Sequence, residues 1–200
     1  MADFDYVMLT LARGAQARRA FAERVNAAEL SAHGRRAGLF VAQLGWEAAE
    51  AALLAERGGR EDQALQALLD APEVVSSVAH TLKPTVRPQA DSAITPGGVY
   101  VHRWFEVSQA SVADFIDLSA QAWPGFEALF DAEIFGLFEV TSEQTGAPAD
   151  SRHLLLITRY ASHGAWEDSR DPTTEAMQTF ARRAQLTLST RAASSLLIAP

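Results

Sequence analysis

The sequence predicts an α+β protein made of two strand–helix–strand–strand–helix–strand units in tandem, packed sheet against sheet. Three observations predict it. Strand-like and helix-like runs alternate along the chain, with Gly and Pro between them. A stretch rich in Pro and Gly, Lys83 to Gly98, divides the chain. Landmarks of the first half then recur in the second. Tyr6 and Tyr100 each open a strand at an offset of 94, Phe21 and Phe115 repeat that offset, and Gly38-Leu39-Phe40 resembles Gly136-Leu137-Phe138 at an offset of 98.

In the first half, Tyr6 to Leu11 is a short β-type run. Ala17 to Ala32 has helical spacing through Ala17, Ala20, Phe21, Val25 and Ala28, and His33-Gly34 ends it. Gly38 to Leu44 is the second strand. Trp46 to Leu54 is rich in Ala, so propensity favours helix, yet the repeat demands a strand there. Asp62 to Asp70 is a short helix ended by Pro72, and Val74 to Leu82 is the fourth strand.

The second half is patterned more sharply. Val99 to Val107 is an aromatic and β-branched strand. Ser111 to Ala122 is a helix, broken by Pro124-Gly125. Ala132 to Val140 and His153 to Tyr160 are strands around a polar loop holding Gly146 and Pro148. Thr174 to Gln185 is a helix capped by Thr173 or Thr174, and Leu186 to Ile198 is the last strand. The order βαββαβ is the split βαβ, or ferredoxin-like, unit. Such a sheet carries both helices on one face and must cover the other, which two units do for each other by closing a barrel. The domain boundaries follow: residues 1–83, a linker at 84–97, and residues 98–200.

Composition bounds the function. The 200 residues carry a net charge of -8 and no cysteine. A phosphate-tracking surface would be basic, so nucleic acid is not an expected partner. Disulfides, thiolate metal sites and cysteine nucleophiles are excluded, in keeping with a reducing cytoplasm. No apolar run reaches the roughly 20 residues of a membrane helix. No histidine pair has metal-ligand spacing, and there is no P-loop, dinucleotide fingerprint or GxSxG elbow, so neither metal nor cofactor is expected.

Tyr100-Val-His-Arg-Trp-Phe, Trp123, Phe135-Gly-Leu-Phe-Glu-Val, and Leu155-Leu-Ile-Thr-Arg-Tyr followed by Ser162, Trp166 and Arg170 together resemble the NIPSNAP family of the dimeric α/β-barrel superfamily. The resemblance covers about residues 98–198 and is a soft profile rather than an invariant motif. It implies an internal dimeric α/β barrel but no assigned chemistry. The wider superfamily includes cofactor-free monooxygenases, heme proteins, muconolactone isomerase-like enzymes and small stress proteins, and fold alone does not choose among them. The first half lacks a counterpart of Trp123, and Leu9 stands where Arg103 does. It reads as a degenerate copy that keeps the frame.

Site candidates therefore fall in the second half. Strand alternation puts Tyr100, His102 and Trp104 on one face and Val101, Arg103 and Phe105 on the other. His102 is the nominee for proton transfer, because imidazole titrates near neutrality; a hydrogen-bonded core histidine is the plainer reading. Arg103 needs an acidic partner or an anionic ligand, such as a carboxylate or phenolate. Arg159, Tyr160, Trp104 and Phe105 complete the ligand-binding candidates, although Trp104, Phe135 and Phe138 serve equally as core. His33, His153 and His163 read as loop or capping residues, and the pairs Arg18-Arg19 and Arg182-Arg183 as solvated helix faces. Three functions compete: binding of a small apolar or aromatic molecule in the barrel interior, a cofactor-independent monooxygenase or isomerase, and a structural or interaction module. The tandem chain is expected as a monomer with an internal pseudo-dimer, or as a homodimer.

Overall fold

A computed structural model describes residues 2–28, 36–46, 49–58, 61–141 and 150–199, apart from the side chains of 61, 62 and 199. The helix end expected at His33-Gly34 and the loop residues Gly146 and Pro148 lie outside the described residues.

Among the described residues, eight strands and five α-helices follow one another as β1 (Phe4–Leu11), α1 (Ala15–Ala27), β2 (Ala37–Leu44), β3 (Ala51–Glu56), α2 (Glu61–Leu69), β4 (Val74–Pro84), β5 (Val99–Ser108), α3 (Val112–Leu129), β6 (Ala132–Val140), β7 (Ser151–Tyr160), α4 (His163–Asp168), α5 (Glu175–Ala184) and β8 (Thr187–Ala199). The strands close into one antiparallel barrel in the order β1-β3-β2-β8-β5-β7-β6-β4. Within each half the order is the same: β4-β1-β3-β2 and β8-β5-β7-β6. Two seams join the halves, Leu39–Leu44 with Ala199–Ser194, and Leu82–Pro84 with Val140–Phe138. No helix among the described residues is long and apolar enough to cross a membrane.

The alternation of each strand separates three cores. Val7, Leu9, Leu11, Leu39, Leu53 and Ala55 meet Phe21, Val25, Leu65 and Leu68 under α1 and α2. Val101, Phe105, Val107, Leu154 and Leu156 meet Phe115, Trp123 and Phe126 under α3. Phe4, Tyr6, Phe40, Leu54, Tyr100, Trp104, Phe138, Leu155 and Ile157 fill the barrel interior.

Two sequence expectations are corrected. The strand expected at Trp46–Leu54 lies at Ala51–Glu56, because Trp46 turns inward and its indole N–H donates to the Ser194 carbonyl at 2.7 Å. The Ala-rich segment is still a strand, since Ala51 to Ala55 is buried on both faces and tertiary burial overrides propensity. Pro124-Gly125 does not break α3, which runs through both to Leu129. The 84–97 stretch packs on the barrel: β4 extends to Pro84, Leu137 N–H donates to the Arg87 carbonyl, and Ile94 is buried in the barrel-interior cluster.

The Gly-Leu-Phe landmarks acquire a physical cause. Both glycines sit under the ring two residues on. A Cβ on Gly38 would lie 3.3 Å from the Phe40 ring, and one on Gly136 would lie 2.9 Å from the Phe138 ring and 2.6 Å from Pro88. Glycine there lets each phenylalanine fold back across its own strand.

Candidate functional site

The site is built on the outer face of β5, where the second half departs from the first. Val101, Arg103 and Phe105 point away from the barrel, toward α3 and α5. At the equivalent positions of β1 stand Val7, Leu9 and Leu11, which are 1%, 0% and 3% exposed in a fully apolar core. In the second half this layer opens into a cleft. An inner pocket of about 70 Å³ is lined by Arg103, Phe126, Leu156, Tyr160, Trp166, Met177 and Arg183 among others. An outer one of about 490 Å³ continues past Arg103, Phe105, Phe180 and Arg183 to Thr187–Thr190.

Arg183 was not among the residues the sequence singled out, and its reading as part of a solvated pair is corrected. Ala176, Thr179 and Arg183 form the buried face of α5, so Arg183 is 4% exposed while its neighbour Arg182 is exposed. One helical step of about 100° separates the two fates. The available signal was an arginine at a core position of an amphipathic helix. The Arg183 guanidinium stacks on Phe180, Phe105 and Phe115 at 4.5, 4.9 and 5.0 Å. One terminal nitrogen donates to Ser119 Oγ at 3.1 Å, while Nε is buried without a partner.

Among the described residues, neither Arg103 nor Arg183 forms an ion pair with a carboxylate. The electrostatics are accordingly strained. Burial, and then the like charge of Arg103, push Arg183 down to about 9, still charged at neutral pH. Burial also lowers Arg103, with Tyr160 opposing and Arg170 adding to the shift. Burial raises the Tyr160 hydroxyl against the pull of Arg103, so it stays protonated. The Trp166 indole N–H and Thr187 Oγ1 are further buried polar groups without partners. Buried polar atoms are normally satisfied, and three of the four unpartnered ones among the described residues line this cleft, the fourth being Trp123 Nε1.

The remaining candidates lie elsewhere. His102 and Trp104 face the interior, as alternation requires. His102 is fully buried, with Tyr6 Oη 3.1 Å from Nδ1 and Ser195 Oγ 2.8 Å from Nε2. Burial pushes its imidazole down to about 3. Both nitrogens are engaged with core groups, so the proton-transfer nominee is a core histidine and shares no space with Arg103. The interior expected to hold a ligand is filled by aromatic rings. Open space of about 170 Å³ remains at one mouth, beside Met8, Trp46, Ser77, Trp104 and Arg191. Arg159 donates to the Gly97 carbonyl at 3.0 Å and anchors the start of β5. No group of three or more potential metal ligands gathers among the described residues.

No family model and no curated protein gives a significant match to the chain. Solved structures do. A protein from Lactobacillus acidophilus NCFM with a provisional monooxygenase assignment aligns with a TM-score of 0.64 at 13% identity, over 99% of this chain and 95% of its own. An anthrone oxidase-like protein gives 0.64 at 11% identity, over 98% and 92%. A heme-binding protein from Thermus thermophilus gives 0.54 at 11%, over 98% and 91%. The chain has the ferredoxin-like dimeric α/β-barrel fold. At these identities the barrel is shared and nothing more specific is.

The heme-binding neighbour raises the question of an iron ligand. None of the described histidines lines these two pockets, although His80 and His153 line a third space that adjoins the outer one at Phe105, Ser189 and Thr190; the chain has no cysteine. The polar lining of guanidinium, hydroxyl and indole N–H groups donates hydrogen bonds, and it does not fit a heme iron.

Proposed function

We propose that this protein binds a small molecule in the cleft between the outer face of β5 and β7 and helices α3, α4 and α5. The observation that carries the reading is the pair of charged arginines, Arg103 and Arg183, held together under the helices without a carboxylate. Burying two like charges is expensive. The first half, with Leu9 in place of Arg103, builds the same layer without that cost. Tyr160 and Phe105 belong to this site, whereas His102, Trp104 and Arg159 serve the scaffold. The small-molecule chemistry ascribed to neighbours of the same fold is consistent with a binding role.

We read the two halves as tandem copies, residues 1–83 and 98–200, joined by 84–97, on the strength of their shared strand order and the recurring landmarks. The likeness of residues 98–198 to NIPSNAP proteins accords with this.

Filling each cavity in turn tests the placement. Met177 lines both cleft pockets, and Ser77 lines the barrel mouth. In ligand-observed NMR with two-ring aromatic fragments, neutral and anionic, Met177→Trp is expected to abolish binding and Ser77→Trp to preserve it. The opposite pattern would move the site to the barrel.

A further inference from the structure

We infer that the cleft selects an organic anion: one carboxylate or phenolate on a flat apolar body, with its charged oxygens between Arg103 and Arg183. The inference rests on the cleft being the binding site and adds the chemical class of its occupant.

Four observations carry it. First, Arg103 and Arg183 line both pockets, so they stand at the junction between the small inner one and the larger outer one. A group there meets both guanidiniums. Second, the uncompensated charge is local. The chain as a whole carries -8, so a cationic cleft is out of keeping with its surface and marks a site rather than a general tendency. An anion between the two arginines would neutralise each and screen their mutual repulsion.

Third, the unpartnered atoms are of the matching kind. Arg183 Nε and Trp166 Nε1 are buried, unsatisfied and can only donate. A neutral hydrocarbon would leave both orphaned, and a cation would add a further like charge. Planar oxyanions suit the guanidinium fork, which can present two parallel N–H groups. Fourth, Phe126, Ile134, Leu156, Met177 and Phe180 supply apolar lining around the polar centre, and the other polar lining residues, Thr158, Tyr160, Ser169 and Arg170, include no carboxylate. This accommodates an aromatic or alicyclic body and gives no second polar anchor of opposite charge.

A charge series on one carbon skeleton tests this without altering the protein. Isothermal titration calorimetry at about neutral pH would compare 2-naphthoate, 2-naphthalenemethanol and 2-naphthylmethylammonium. The expected order is naphthoate at least tenfold tighter than the alcohol, with no binding of the ammonium. Arg103→Met and Arg183→Met should each weaken naphthoate at least tenfold and leave the alcohol within twofold. Equal affinity for naphthoate and alcohol, both lost in Met177→Trp, would overturn the anion and leave the cleft standing. Binding of none of the three would overturn the cleft together with the anion.

Discussion

His102 shows what a polar residue does when a strand turns it inward. Ser195 Oγ lies 3.4 Å from the Tyr100 carbonyl, a pure acceptor, so the serine proton goes there. Ser195 then accepts from His102 Nε2–H, and Nδ1 is left to accept from the Tyr6 hydroxyl. One neutral imidazole thus ties β1 to β5 and β8 across the barrel. Its folded-state value, about 3, lies well below the unfolded one. Between the two the unfolded chain binds a proton that the folded chain does not. Stability from this group is therefore complete at neutral pH and is lost as pH falls from about 6.5 toward 3. His102→Phe is expected to cost about 1–3 kcal/mol at neutral pH, because Tyr6 and Ser195 lose their partner. The gap between wild type and variant should narrow at about pH 4.5, as read from urea midpoints. Arg183 makes the opposite case. Arg183→Met removes a buried charge and keeps the length of the side chain, while Ser119 retains its bond to the Phe115 carbonyl. A gain of about 1 kcal/mol in unfolding free energy is expected, together with loss of anion binding. A loss of stability would mean that the charge is structural.

At the scale of elements, burial decides against local preference more than once. Pro124 lacks the N–H that would bond the Ala120 carbonyl, a defect of about 3 kcal/mol in a helix interior. Against it, α3 buries Phe115, Trp123 and Phe126, each worth about 2–3 kcal/mol. The packing outweighs the defect, and the helix continues. Pro124 itself is exposed, so Pro124→Ala should restore the bond without disturbing the core and stabilise by about 1–3 kcal/mol in urea denaturation. β3 is the same lesson in a strand. Ala51, Leu53 and Ala55 pack under helices while Ala52 and Leu54 face the interior, so a run that reads as helix is held extended between two cores.

At the scale of the molecule, the barrel is closed within a single chain, and its interior belongs to both halves. Tyr6 and Phe40 from the first half pack on His102, Trp104 and Tyr100 from the second, at ring distances of 5.0 to 5.7 Å. Residues 98–200 alone would expose that face: Tyr100, Trp104, Phe138, Leu155 and Ile157. Expressed by itself, this half is expected to elute as a dimer or larger species in size-exclusion chromatography with light scattering. A stable folded monomer would show that the interior is not a shared core.

The sequence by itself determined the order of elements, the recurring landmarks and the alternation that parts His102 from Arg103. These are local properties: hydrophobic period, turn residues and spacing travel with the chain. It also pointed to Arg103, since a charge in an apolar strand is anomalous wherever the strand lies. Only the tertiary structure decided that Arg183 joins it, because the two residues are far apart in sequence and meet only when α5 packs over β5. Only the tertiary structure opened a cleft outside the barrel, because the volume between layers depends on side chains from several elements at once. The aromatic rings that fill the interior and the helices that stop short of filling the cleft are both sums over distant residues.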